Sequence, residues 1–157
     1  MATSSRLSIA LHALVYLDDP GAKPITSTEI ARSVNTNPVV IRRVLARLAQ
    51  AGLVSGGSGA AGGYRLARRA TQITIWEAYQ ALRDQGPFAL HPRAPNARCP
   101  VGRNILSGLL DVYGAAEAAM KDVLGATTVR SLRKKMALPA RKNAPNFLRN
   151  RSAAAES

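Results

Sequence analysis

The sequence predicts a mostly α-helical protein with one small β-hairpin, arranged as a winged helix-turn-helix followed by a long dimerisation helix. Three observations predict this fold class. Two helix-start signals stand close together, the capping box Thr26–Glu29 and the pair Asn37-Pro38. Glycine-rich residues, Gly56–Gly63, separate two short strand-like segments. Apolar residues then recur at helical spacing between Arg103 and Gly125.

The helix-turn-helix is predicted from its caps. Thr26 and Glu29 begin a helix of about two turns, which Asn35–Pro38 ends while starting the next helix. Gly52 ends that second helix as a C-cap glycine. Its predicted core positions are Ile41, Val44, Leu45 and Leu48. Two helices joined by so short a turn form a helix-turn-helix, whose second helix is sized for the DNA major groove.

The glycine-rich segment is interpreted as the tip of a wing. Leu53–Ser55 and Tyr64–Leu66 are the predicted strands on either side of it. Gly57–Gly62 also matches the dinucleotide-binding fingerprint, but that fingerprint requires a helix directly after the glycines. A strand pattern follows here, so nucleotide binding is rejected.

The charge distribution indicates a polyanionic partner. The formal net charge is +13, from 22 Lys and Arg against 9 Asp and Glu. Between Pro20 and Trp76 the basic residues face a single acid, Glu29. Such a unit suits phosphate binding with release of counterions. A nonspecific nucleic-acid-binding basic protein, associated for example with ribosomes, remains open as an alternative.

The remaining elements follow from periodicity and caps. The first helix is predicted from Ser4 or Ser5 to Leu17, and the capping box Thr74–Glu77 opens another to about Asp84. A last helix is predicted over Thr127–Met136. The predicted organisation is a winged helix-turn-helix over 1–85, a loop with Cys99 over 86–102, a dimerisation helix and short helix over 103–136, and a basic disordered tail over 137–157. Burial of the long helix against its own domain is the alternative to dimerisation.

Four segments together resemble the Rrf2 family of bacterial transcriptional regulators, over roughly residues 4–130. They are Glu29-Ile30-Ala31, Arg43–Leu48, Ala51–Ser55 and Gly62–Ala67. The resemblance implies a homodimeric regulator, predicted to be a repressor, that binds a roughly palindromic operator in double-stranded DNA.

The resemblance also implies the DNA contacts. Val39, Arg42 and Arg43 hold the positions that reach base edges, whereas Ser27 and Thr28 are expected at phosphates. Relatives often carry a basic residue near the wing tip, where this chain has Ser58, so nearby arginines are expected to substitute. The predicted DNA-binding set is Ser27, Thr28, Val39, Val40, Arg42, Arg43, Arg47, Ser58, Tyr64 and Arg65.

Cys99 decides the expectation about cofactors. Many relatives hold an iron–sulfur cluster through three cysteines in the corresponding loop, and this chain has Cys99 alone. The expectation is therefore no cofactor and no metal, as in the cluster-less relatives, which keep a motif like Cys99–Gly102. Arg98 and Arg103 flank Cys99 ahead of a predicted helix, a setting typical of reactive thiols. A redox sensor and an inert cysteine both remain open.

Other function classes fit the sequence poorly. An enzyme built on Cys99 with His91 or His12 lacks an oriented third group, so no catalytic residue is predicted. Neither a secretory signal nor an apolar run long enough for a membrane is present, so a cytoplasmic, nucleoid-associated protein is expected. The expected partners are double-stranded DNA, a second copy of the chain, and an unknown small-molecule or oxidant inducer.

Overall fold

The computed structural model describes residues 3–18, 23–56, 62–83 and 86–136. Within them lie six helices and two strands, which confirm the mostly α fold with a small hairpin. The predicted wing residue Ser58, the predicted helix end Asp84 and the predicted tail 137–157 lie outside the described residues. The elements are α1 (Thr3–Leu17), α2 (Ser27–Val34), α3 (Pro38–Gln50), β1 (Val54–Gly56), β2 (Tyr64–Leu66), α4 (Ile75–Leu82), α5 (Pro100–Gly125) and α6 (Val129–Lys135).

The caps that define α2 and α3 form as predicted. The Thr26 N–H donates to Glu29 Oε2 at 2.8 Å, and the Glu29 N–H donates to Thr26 Oγ1 at 3.2 Å. Asn37 Oδ1 accepts from the Val39 N–H at 2.8 Å, with Pro38 as the first residue of α3. Between the helices, Asn35 adopts the left-handed region with a φ of 59°, which reverses the chain tightly. These local bonds fix the angle between α2 and α3.

Helices α1, α2, α3, α4 and α6 share one apolar core with strand β1. All four predicted core positions of α3 are buried, and α4 buries Ile75, Ala78 and Leu82. Trp76 and Tyr79 are buried too, with ring centroids 5.2 Å apart. The largest fully buried side chains are Leu14, Ile30, Ile41, Leu45, Leu48, Leu53, Ile73, Leu82 and Val129.

The hairpin is joined to the helical body by a third extended residue. β1 and β2 are antiparallel, and Ile25 pairs with Tyr64 on the outer side of β2 through N–H···O bonds of 3.1 and 2.8 Å. Gly63 makes this pairing possible, because an added Cβ there would lie 2.7 Å from the Pro24 carbonyl carbon. The first strand begins one residue later than predicted, since Leu53 still bonds to Leu48 at the end of α3.

The long helix α5 begins earlier than predicted. It starts at Pro100 instead of Arg103, so the loop ends at Cys99 and not at Gly102. Pro100 occupies the first helical turn, where its missing N–H costs nothing. The backbone of Asn96 lies so close to Gly102 that no side chain fits there, which closes the loop onto the first turn of α5.

The last helix packs with the winged helix, whereas the sequence prediction grouped it with α5. Val129 is fully buried in the common core, and its N–H donates to Ile73 O at 2.9 Å. The Arg130 N–H donates to Ala70 O, and the Ile75 N–H donates to Thr127 O. The chain therefore returns to the winged helix after α5. None of the described helices is both long and apolar enough to span a bilayer.

Candidate nucleic-acid interface

The outer face of α3 is basic and exposed. Because Ile41, Val44, Leu45 and Leu48 turn one face of the helix into the core, Val39, Arg42 and Arg43 lie on the solvent side. Val39, at the start of the helix, is 42% exposed. Val40 and Arg47 are half-buried at the edges of this face. The structure thus brings the predicted base-reading residues together on one surface.

The start of α2 offers backbone donors. Its capping box satisfies the N–H groups of Thr26 and Glu29. The N–H groups of Ser27 and Thr28 belong to the first helical turn, which has no intrahelical acceptors. Thr28 is exposed and Ser27 is half-buried. Exposed amides at the start of a helix suit a phosphate oxygen, so the contact expected at Ser27 and Thr28 stays a prediction.

The basic residues after the wing differ in what they contact. Arg65, Arg68 and Arg69 are all exposed, but Arg68 Nη2 donates to Glu77 Oε1 at 2.7 Å. Arg68 is therefore paired with an acid at the start of α4, whereas Arg65 and Arg69 make no ion pair with Glu77. Tyr64, a predicted contact, is half-buried with its ring against Gly56, where an added Cβ would lie 2.9 Å from Tyr64 Cε1.

The pairing partner of Arg68 is held in its charged form. Partial burial by itself would raise the pKa of Glu77. The Thr74 N–H, the Arg68 guanidinium and the Thr74 hydroxyl outweigh that effect and lower the pKa below its ordinary value of 4.5. The carboxylate therefore caps α4 and neutralises Arg68 at neutral pH.

Helix α5 presents two different faces. One face contacts its own domain: Glu117 accepts a hydrogen bond from Arg83, and Tyr113 stacks on Phe88 with ring centroids 4.7 Å apart. Sequence reasoning missed both pairs, because their members lie far apart in the chain and carry no local signal. The neighbouring face carries apolar residues at the helical spacing that the sequence predicts, and two of them, Val112 and Val123, are 64% and 68% exposed. All of α5 is described, and none of its residues is buried.

Cys99 and the two histidines occupy separate places. Cys99 is half-buried at the N-cap of α5, without a capping bond from its side chain. His91 Nδ1 accepts from the Arg93 N–H at 3.1 Å, and His12 Nε2 is hydrogen-bonded to Ser33 Oγ at 2.8 Å. His12 thus joins α1 to α2. The described residues contain no group of three or more His, Cys, Asp or Glu that could hold a metal ion.

Comparisons with known proteins agree with this architecture. The family Rrf2, described as "Iron-dependent Transcriptional regulator", matches residues 3–135. The chain is 35% identical over 133 residues to "Putative HTH-type transcriptional regulator YwnA" of Bacillus subtilis (strain 168), which covers 82% of this chain and 95% of that protein. These are descriptions of transcriptional regulators and not of enzymes, as the sequence predicts.

Solved structures share the fold. A protein described as "a putative DNA binding protein" superimposes with a TM-score of 0.63 at 30% identity, covering 81% of this chain and 97% of its own. The structure of CymR (YrzC), the global cysteine regulator of B. subtilis, gives a TM-score of 0.64 at 21% identity over 86% of this chain and 98% of its own. The second likeness shows the fold alone.

The iron in the family's description does not fit the residues of this chain. A thiolate-held cluster requires several cysteines, and the sequence contains one. His91 Nδ1 already accepts a hydrogen bond from the Arg93 N–H.

The family assignment depends on three concordant observations. The matching family covers most of the chain, the relative from B. subtilis aligns over nearly its whole length, and the described residues form a helix-turn-helix with a wing. The chain belongs to the Rrf2 family of DNA-binding transcriptional regulators.

Proposed function

We propose that the protein acts as a homodimer whose two α3 helices read the two halves of a roughly palindromic operator. The observation that carries the proposal is the exposed arginine pair Arg42-Arg43, on the face of α3 opposite the core. A dimer that covers an operator overlapping a promoter excludes RNA polymerase, so the expected outcome of binding is repression.

The contacts divide into base readers and phosphate anchors. Arg42 and Arg43 suit bidentate contacts to guanine O6 and N7, and Val39 suits a thymine methyl group. Ser27 and Thr28 suit a phosphate at the start of α2, while Arg47 and Arg65 add backbone contacts on either side. Val40 and Tyr64 are half-buried, so their part is to support the shape of the contact surface.

The exposed stripe of α5 supports a symmetric dimer. Large apolar side chains rarely stay in water along a whole helix, and a stripe of this kind is typical of an interface. Its residues recur every three or four positions, the spacing that a partner helix requires. The stripe, which we call the α5 seam, comprises the exposed Val101, Ile105, Val112 and Val123 and the half-buried Leu109, Ala116 and Met120.

Two variants test the dimer: one adds a negative charge on the α5 seam, and the other adds the same charge away from it. Val112→Glu is expected to yield monomers in analytical ultracentrifugation, because it buries a carboxylate in an apolar interface. Ala118→Glu adds the same charge on the exposed far side of α5 and should leave the dimer intact. Equal masses for the two variants would contradict the proposal.

Sequence specificity separates a regulator from a nonspecific basic protein. Specific complexes exceed nonspecific ones by roughly 10³–10⁷ in affinity, whereas a basic protein shows steep salt dependence without such a ratio. Binding to random DNA and to selected fragments, measured at one salt concentration, gives that ratio. A ratio near one would favour the nonspecific alternative.

A second proposal concerns regulation through Cys99. Its position at the N-cap of α5, half-buried and next to the proposed dimer helix, links its chemistry to dimer geometry. Hydrogen peroxide would oxidise the Cys99 thiol to a sulfenic acid with release of water, adding an oxygen atom at the N-cap of α5. We expect peroxide to weaken operator binding in the wild type and not in Cys99→Ser. An equal loss of operator binding in both proteins would show that Cys99 is inert.

A further inference from the structure

The far end of α5 is fastened to the winged helix by its own backbone. Thr127 O accepts from the Ile75 N–H at 2.9 Å, and the Val129 N–H donates to Ile73 O at 2.9 Å. Thr74 and Thr128 form a bridge between the same two segments. Only Ala126–Thr128 separate α5 from α6, so the docking of α6 fixes where α5 ends.

A buried carboxylate holds α6 in place. Asp18, directly after α1, is 3% exposed, and its Oδ1 accepts from Arg130 Nη2 at 2.7 Å. Arg133 Nη1 lies 4.0 Å from Asp18 Oδ2. We call these three residues the α1–α6 clamp. They join positions more than one hundred residues apart in the chain.

The position of Asp18 is unfavourable for α1 on its own. The C-terminal end of a helix carries partial negative charge, so a carboxylate there is repelled. Burial adds a desolvation cost, which only close cations offset. Both effects make the buried, charged carboxylate of Asp18 unfavourable unless the arginines of α6 lie close to it. The carboxylate is therefore suited to recognising α6 and not to stabilising α1.

Two of the contacts described above hold α5 to the winged helix at well-separated points. One is the clamp with the 127–130 segment, and the other is the ion pair between Arg83 and Glu117. In the proposed dimer each α3 lies about 17 Å from the two-fold axis, half of the ~34 Å between half-sites. A shift of each α3 along the DNA by half of the ~3.4 Å rise of a base pair changes the accepted spacing by one base pair.

We infer that Asp18 is a positioning residue: through Arg130 and Arg133 it sets the spacing between operator half-sites that the dimer accepts. The inference rests on the proposed homodimer. Asp18 itself lies buried between α1 and α6, on neither the α3 face nor the α5 seam. Loss of the clamp should therefore change which half-site spacing the dimer accepts. The contacts of each α3 with its own half-site should remain intact.

The test measures affinity against spacing. Full-length wild type, Asp18→Asn and the control Asp111→Asn, which removes an exposed acid from α5, are titrated with operators whose identical half-sites differ by single central base pairs. A single half-site serves as a further probe. We expect the preference of the wild type for its best spacing to fall about tenfold in Asp18→Asn. Its dimer mass and single half-site affinity should match those of the control.

Two outcomes would overturn the inference. In one, Asp18→Asn keeps the full spacing preference; in the other, it loses single half-site affinity as strongly as operator affinity, which indicates a merely structural role. If Asp18→Asn fails to fold, Arg130→Met is tested in the same way, because Arg130 is partly exposed and α1 stays unaltered. A wild type that is monomeric or indifferent to spacing would instead defeat the proposed dimer.

Discussion

Arg68 Nη2 lies 2.7 Å from Glu77 Oε1, so the charge of this arginine is neutralised at the start of α4. Arg65, the middle residue of β2, is exposed as well but makes no ion pair with Glu77. The two arginines are close in sequence, but the structure assigns them to different tasks. Arg68 supports the fold, and Arg65 remains available to a phosphate.

The salt dependence of binding distinguishes these tasks. Arg65→Ala should reduce the slope of log K against log salt concentration by about 1, since one phosphate contact disappears. Arg68→Ala should leave that slope nearly unchanged. Fluorescence anisotropy over a range of salt concentrations measures both. Equal slopes for the two variants would show that the ion pair with Glu77 opens when DNA binds.

Arg43 is expected to read a base. Arg43→Ala should cost about 1–3 kcal/mol on the selected operator and relax sequence preference at one position in each half-site. Lys121→Ala, which removes a positive charge from the exposed surface of α5, is the matched control. Binding to a panel of single-base operator variants provides the measurement. A uniform loss across the panel would reduce Arg43 to a phosphate contact.

Two glycines of α5 test the seam from opposite sides. Neither Gly108 nor Gly114 has an atom within 4 Å of an added Cβ in the single chain. Gly108 borders the seam, whereas Gly114 lies on the far side. Gly114→Ala should stabilise the helix by about 0.5–1 kcal/mol. Gly108→Ala should weaken dimerisation by about 1–3 kcal/mol if the partner approaches closely there.

Sedimentation equilibrium measures the dimerisation of both variants, and thermal unfolding measures their stability. The prediction fails if Gly108→Ala dimerises as tightly as Gly114→Ala, because the partner helix would then not pass close to Gly108.

Stability should depend on pH through Glu77. Because folding lowers the pKa of Glu77, its carboxylate stabilises the folded protein at neutral pH. That contribution is present above the ordinary value of 4.5 and is lost as pH falls through the lower, folded-state value. Urea unfolding of the wild type and Glu77→Gln should differ at pH 7 and converge in acid. A difference that does not change with pH would mean that the charge of Glu77 contributes nothing.

Gly63 tests the attachment of the wing. Gly63→Ala brings a Cβ to 2.7 Å from backbone carbon of Pro24 and to 2.9 Å from the Ile25 nitrogen, neither of which can move aside freely. The expected cost in unfolding free energy is about 1–3 kcal/mol. Chemical denaturation measures that cost. An unaltered stability would mean that the pairing of Ile25 with Tyr64 adjusts without loss.

Local signals in the sequence were sufficient for the helix-turn-helix. The capping boxes at Thr26 and Thr74 involve residues three positions apart, so they can be read directly. A third box, Thr128 with Ser131, was missed because serine takes the place of the usual glutamate. The start of α5 was missed because Cys99 gives no capping bond, although Pro100 was an available signal.

The longer-range features lacked any local pattern. The predicted first helix ends at Leu17, and nothing near Asp18 in sequence indicates that it is buried against Arg130. The seven residues of α6 are too few for a reliable periodicity, so its return to the core was not predicted. The site residues were found through the caps of α3, because the buried stripe determines which side chains lie opposite.

The central claim is that an exposed arginine-bearing helix from each of two chains reads one half of a symmetric site. Selection of bound fragments from random double-stranded DNA with the full-length protein tests it most directly. The account predicts an enriched inverted repeat, with half-sites about one helical turn apart or a multiple of that distance. Fragments without a shared motif, or with a single unrepeated one, would contradict it.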